Sequence, residues 1–220
     1  LYEGGTALYE AMVMATRITG RKRIVIDAGV SPIHRKIIRS YTHNLHFELV
    51  EIDVAHGQAD RAGLIKTIDG ETAAVILQNP NFFGAIDDHS DIIALAHEKG
   101  ALVIESVYPV SLGLLKTPGE MGADIVTAEG QSLGLPLSFG GPYLGILATR
   151  RKYIRQMPGR IVGETVDTQR RRCFVNTIQA REQHIRREKA TSNVCTNVAL
   201  CAVQAACFMA LLGEDGFRRL

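Results

Sequence analysis

The sequence predicts an α/β domain: a mostly parallel β-sheet with helices on both faces. Three observations carry that expectation. Short runs of nearly continuous apolar residues, such as "AAVILQ" (73–78) and "ALVIES" (101–106), alternate with stretches of helical period. The chain has 220 residues, 46% of them hydrophobic, which is enough to bury a full core. No internal repeat and no low-complexity linker divides it.

The elements follow in order. A helix begins around Thr6, whose hydroxyl suits the open N–H groups of a first turn; Leu8 and Met12 share a face, and Gly20 suits the exit. "RIVID" (23–27) is a short β-branched strand closed by "AGVSP". The next helix starts near Pro32, tolerated in a first turn, with Ile33, Ile37 and Ile38 on one side. "HFELVEID" (46–53) is a strand and "QADRAGLIKTI" (58–68) a helix. "AAVILQ" then runs into the loop "NPNFFG" (79–84). "DHSDIIALAHEKG" (88–100) is helical, with Asp88 or Ser90 as cap and Gly100 at its exit. "ALVIES", "ADIVTAE" (123–129) and "YLGILAT" (143–149) are the remaining strands. Between 158 and 172, "PGRIVGETVDTQRRR", the pattern weakens into an expected long loop, and helix resumes near Thr191.

Bulk properties exclude several classes. Lys plus Arg number 25 against 23 Asp plus Glu, a net charge of +2, too balanced for nucleic acid as the main partner. No apolar run approaches the roughly 20 residues that span a bilayer. Cys195, Cys201 and Cys207 lie six apart on an apparent helix. At roughly 100° per residue, successive ones are rotated by about 120° and cannot converge on a metal. They read as small core residues in a reduced, cytosolic setting. The chain enters a helix almost at Leu1 and stops at Leu220 just beyond another, so a piece of a longer protein is expected.

In a parallel sheet, ligands sit at the carboxyl ends of the strands, here the loops after Asp27, Gln78, Glu105 and Thr127. No G-x-G-x-x-G follows a strand and no Walker sequence occurs, so a nicotinamide or Walker-type nucleotide site has no support. "EGGTALYEA" (3–11) sets Gly5 and Thr6 at a helix start, where N–H groups and the dipole suit a phosphate; a plain capped helix needs the same residues. Asn79 or Asn81 in "QNPNFFG" is placed to orient a ligand or simply to make a turn. Glu105, ending "ALVIE", is either a partner for a protonated ring nitrogen or a solvated strand end. "SFGGPYLG" (138–145) permits close backbone approach at Gly140 and Gly141, for a ligand or for a tight turn. The basic stretches 170–172 and 181–193 are solvated surface or a dock for an anionic partner. His184, within the second, is an acid–base candidate or an ordinary hydrogen-bonding side chain.

Together, "GQSLGLPLSFGGPYLG" (130–145), "GRIVGETVDTQ" (159–169) and "QAREQHIRREKATSNVCTN" (179–197) resemble the glycine decarboxylase (P-protein) family of the glycine cleavage system. More narrowly, they are similar to subunit 1, the α chain of its split form. The resemblance runs over nearly the whole chain. It implies that 1–220 is the large domain of a fold-type I pyridoxal-phosphate-dependent transferase, without the N-terminal arm and C-terminal small domain.

The family's active chain carries a lysine bonded to the cofactor in a turn before a glycine-rich excursion. On that pattern the lysine position falls at Gln131, and an amide cannot replace an amine in that role. None of the seven lysines (22, 36, 66, 99, 116, 152 and 189) directly follows the strand that starts at Asp124. Val30 stands where an aromatic ring usually stacks on the cofactor, and Glu105 replaces the usual aspartate at the ring nitrogen. The resemblance therefore implies a degenerate pocket of Gly5, Thr6, Val30, Asn79, Glu105 and Gln131, with no catalytic residue of its own and no metal. It implies pyridoxal phosphate on a homologous β subunit, an α2β2 assembly, glycine as substrate and the lipoyl H-protein as acceptor, in the cytoplasm. Ser138, Gly140, Gly141, Arg186, Arg187 and Lys189 are its candidates for the partner's site. The other reading is a freestanding degenerate scaffold that binds a phosphate ligand or regulates a partner.

Overall fold

The structure, a computed structural model, describes residues 1–178, 183–190, 194 and 198–220. Helix α1 (Gly4–Thr19) starts a little before the expected position, because Glu3 and not Thr6 is the flanking residue. The Glu3 carboxylate accepts the N–H groups of Gly5 and Thr6 at 2.6 and 2.5 Å, and the Thr6 hydroxyl accepts the Glu3 N–H at 3.2 Å. Thr6 is thus the third residue of a reciprocal capping box. Gly20 ends the helix in the left-handed conformation, as its position suggested.

Strands β1 (Arg23–Asp27) and β2 (Glu48–Ile52) flank α2 (Pro32–Thr42). A two-residue hairpin, β3 (Val54–Ala55) and β4 (Gln58–Ala59), leads to α3 (Arg61–Thr67) and β5 (Thr72–Asn79). Then come α4 (Ser90–Glu98), β6 (Leu102–Val107), the short α5 (Pro118–Met121), β7 (Ile125–Glu129) and β8 (Gly145–Thr149). The main sheet has the order β2-β1-β5-β6-β7-β8. Every neighbouring pair is parallel except β7–β8.

Both faces of this sheet are covered, which is why its strands are apolar at successive positions. Ile24, Ile26, Ile76 and Ile104 face α1 and meet Leu8 and Met12. Val25, Val75, Leu77 and Val103 face the other way and meet Leu64 of α3 with Ile92 and Ile93 of α4. Each fully buried side chain of this size contributes about 1.5–3 kcal/mol.

Several expectations need correcting. Ile38 is buried, but Ile33 is 67% exposed and does not share its face of α2 in the core. Neither Asp88 nor Ser90 flanks α4 as its cap; His89 does, although the Asp88 carboxylate accepts the Ser90 N–H at 2.9 Å. The expected loop at 158–172 contains a strand, because β9 (Ile161–Val166) pairs antiparallel with β10 (Arg172–Thr177). Its residues are mostly exposed, so no apolar run betrays it. After α6 (Gln183–Arg186), α7 spans Ala199–Arg219; Thr191, near which helix was expected to resume, and Cys195 lie outside the described residues. Cys201 and Cys207 sit on α7 as free thiols, Cys207 exposed rather than buried. By length and composition α7 is apolar enough to cross a membrane, against the sequence expectation. It breaks at Gly213 (φ 62, ψ −178), however, and its continuous part falls short of the roughly 20 residues a span requires.

Candidate functional site

The carboxyl ends of the parallel strands gather two polar clusters. The first joins α1 to β7. The Glu129 carboxylate accepts three backbone N–H groups, from Gly4 at 2.8 Å, Gln131 at 2.9 Å and Leu144 at 3.3 Å. Burial, reinforced by the charge of Glu3, holds Glu129 above the ordinary carboxylate value against the pull of those bonds. A Cβ on Gly4 would lie 3.0 Å from the Glu129 Cβ, so helix and strand are in contact here. Leu1 and Gly145 exchange backbone hydrogen bonds at 2.9 Å, which closes the same junction from the other side. Gln131 does not reach outward: its amide donates to the Leu135 carbonyl at 2.6 Å and caps its own turn.

The second cluster lies across β1, β5 and β6. Glu105 is wholly buried and accepts from His89 Nδ1 at 2.9 Å, with His89 only 2% exposed. It is therefore not a solvated strand end. Burial pulls the His89 imidazole down, but the hydrogen bond to Glu105, its charge and that of Asp87 outweigh it and hold the group above its ordinary value. Oε2 of Glu105 and Oδ1 of Asp27 are buried without a partner. Burial raises the Asp27 carboxyl despite the Gly29 N–H. Asn79 holds Asp87 on both sides, donating to its carbonyl at 2.7 Å and accepting its N–H at 3.2 Å. Asn81 accepts from Phe83 and Ala85 and donates to Gly57, so it builds the loop. A cavity of about 10 Å³ remains among Asp27, Gln78, Asn81, Asp87 and His89. That is room for about one water.

The predicted pocket residues, apart from Val30, divide between the two clusters. Gly5, Thr6 and Gln131 belong to the first cluster, Asn79 and Glu105 to the second. Val30 belongs to neither, being fully buried in the core with Leu8 and Ile38. Glu3, Glu129 and His89 were missed as site residues, because nothing local marks them as partners of distant groups. Among the partner-site candidates, Ser138, Gly140 and Gly141 all have left-handed φ, as does Phe139 between them, which is fully exposed, with Leu137 at 68%. Arg186 and Arg187 are exposed at the junction of α6 with a short 3-10 turn, as is His184; residues 181, 182 and 191–193 of the basic stretch lie outside the described ones. Among the described residues no group of His, Cys, Asp and Glu is placed to hold a metal.

The sheet order and its helical layers define the large domain of the fold-type I pyridoxal-phosphate enzymes. The chain superposes with a TM-score of 0.65 on a sphingosine-1-phosphate lyase of Burkholderia pseudomallei at 16% identity, a likeness of fold alone. All 220 residues match the family model described as glycine cleavage system P-protein, and the chain belongs to that family. It is 58% identical over 220 residues to the "Probable glycine dehydrogenase (decarboxylating) subunit 1" of Geotalea daltonii, covering 100% of this chain and 50% of the relative. The corresponding protein of Geotalea uraniireducens is 61% identical over 216 residues, 98% of this chain and 49% of the relative. A crystal structure of glycine decarboxylase (P-protein) of the glycine cleavage system in inhibitor-bound form gives a TM-score of 0.95 at 44% identity, covering 100% of this chain and 49% of that one. The chain thus spans about half the length of the curated relatives it matches.

The family implies pyridoxal phosphate, and these residues do not fit it. No amine follows β7, the α1 amides are taken by Glu3 and Glu129, and the Glu105 carboxylate meets an imidazole of its own chain. The cavity within the second cluster, among Asp27, Gln78, Asn81, Asp87 and His89, is too small for a pyridine ring.

Proposed function

We propose that the protein is the non-cofactor-bearing subunit of a glycine decarboxylase of the glycine cleavage system. The complete enzyme decarboxylates glycine and passes the aminomethyl group to the lipoyl group of H-protein. Pyridoxal phosphate is carried by a homologous, lysine-bearing β subunit in an α2β2 cytoplasmic assembly. The observation that carries this reading is Gln131, an amide folded onto Leu135 in a family whose chemistry needs an amine. The relatives' designation as subunit 1 supports the existence of a second chain. Glycine–bicarbonate exchange tests it: the chain alone is expected to give none, and adding the lysine-bearing homologue to restore it. Exchange by the chain alone, or none in the mixture, would count against the proposal. Failure to copurify with that homologue would favour the freestanding scaffold.

The excursion at Ser138, Gly140 and Gly141 is proposed to face the partner's site. A Cβ at Gly140 would meet nothing within 4 Å, so valine there adds backbone strain, at φ +113, without a clash. Gly140→Val is expected to lower exchange by the complex at least tenfold while the chain still folds, its melting temperature lowered only by that strain. Unchanged exchange would make the turn only a connector.

The cations Arg186, Arg187 and Lys189 are proposed to contribute unequally, one meeting the glycine carboxylate or the acidic carrier through charge-assisted hydrogen bonds. Charge-removing substitutions made singly should raise the KM of one variant sharply and leave the others near wild type. Three small, similar effects that vanish in salt would mark ordinary surface.

A further inference from the structure

Glu129 gathers amides from three separate segments: Gly4 on α1, Gln131 in the turn after β7, and Leu144 at the start of β8. One of these three convergent N–H donors, Gly4, opens a 16-residue helix, so the nest they form for an anion is favoured further by the helix dipole. Thr127 lies on the same face of β7 two residues earlier, fully buried, with its hydroxyl unpartnered. A group of polar donors so arranged suits a small oxyanion, and in this chain a carboxylate from its own sequence fills it. Glu3 takes the next two amides of the helix, at Gly5 and Thr6. We propose that Glu129 is a built-in anion that shuts a phosphate-type site, so that removing its carboxylate opens the nest to inorganic phosphate or a phosphate ester.

The argument from charge and the argument from space agree. With Glu129 in place, an incoming phosphate finds the Gly4, Gln131 and Leu144 amides already bonded and meets two carboxylates within the same junction. Shortening Glu129 to alanine removes the charge and the atoms that occupy the nest, and leaves three partly buried amides without their partner. Donors shielded from solvent and left unsatisfied are costly, so the variant gains from any anion that replaces the lost oxygens. The inference uses only this chain and does not depend on the partner assignment.

The test is thermal unfolding of the full-length subunit carrying Glu129→Ala, in phosphate and in chloride of equal ionic strength. The readout is the difference between variant and wild type, which cancels the general stabilising effect of phosphate on folded proteins. Phosphate is expected to raise the variant's melting temperature by roughly 3 °C more than the wild type's, as for a ligand near ten times its Kd. Glu129→Gln, which keeps an acceptor in the nest, should show a smaller gain. If Glu129→Ala fails to fold in chloride, phosphate is expected to restore its fold. Equal responses of variant and wild type, or no recovery of an unfolded variant, would overturn the proposal. So would tight phosphate binding by the wild type that the substitution abolishes.

Discussion

Replacing His89 by alanine is expected to destabilise the subunit by about 3–5 kcal/mol, because it leaves the buried Glu105 carboxylate without its partner. That is a large share of the roughly 5–15 kcal/mol by which folded domains are stable. Glu105 has one oxygen unpartnered already, so the site has no spare donor to compensate. The double variant His89→Leu/Glu105→Leu should recover most of the loss, since an apolar pair of similar volume avoids burying charge. A denaturant series on the wild type, the single variants and the double variant measures the coupling. A loss below ~1 kcal/mol in His89→Ala would show that the pair is incidental.

The same pair sets a pH dependence with a definite sign. The folded His89 lies above its ordinary value, so the stabilisation it brings is fully present below about pH 6.5 and is lost as pH rises through the raised value. Relative to the double variant, which lacks the His89 imidazole, the wild type should lose stability as the pH is raised above neutrality. A wild-type advantage that grows over that range would contradict the raised position of His89.

A restored lysine is expected not to restore the cofactor. In Gln131→Lys, addition of pyridoxal phosphate followed by borohydride should leave the chain without a stoichiometric pyridoxyl label. The amine would return, but the α1 amides remain bonded to Glu3 and Glu129, Glu105 remains bonded to His89, and the cavity among Asp27, Gln78 and His89 holds about 10 Å³. The lysine-bearing homologue treated in the same way supplies the positive control. A near-stoichiometric label at residue 131 would show that the missing amine alone keeps the cofactor away, and the account of a filled pocket would fall. Lys116 is a poor substitute, because its ammonium is bonded to Asp88 at 2.8 Å and to Ser90 at 2.9 Å.

What was legible in the sequence is what short-range periodicity records. The alternation of apolar strands with helices foretold the sheet, its two covered faces and the exits at Gly20 and Gly100, because each depends on residues a few positions apart. The β9–β10 hairpin escaped because both strands are solvent-exposed and carry no apolar run. Gln131 also stood out without a structure, since the absence of an amine is a property of residue identity.

The contents of the pocket depend on contacts that no local pattern encodes. Gly4 and Glu129 are 125 positions apart, and only the packing of α1 on β7 brings amide to carboxylate. Glu105 as a sequence letter was equally consistent with a ring-nitrogen partner and a solvated strand end; the tertiary structure placed it in the interior against His89. Val30 read as a pocket residue until the fold turned it into the core. Burial and charge pairing are set by the whole chain, because a carboxylate's partner is whatever the fold brings within about 3 Å of it. The sequence by itself therefore determined the architecture and the absence of a lysine directly after β7, and the tertiary structure decided that Glu129 meets the start of α1 and that Glu105 meets His89.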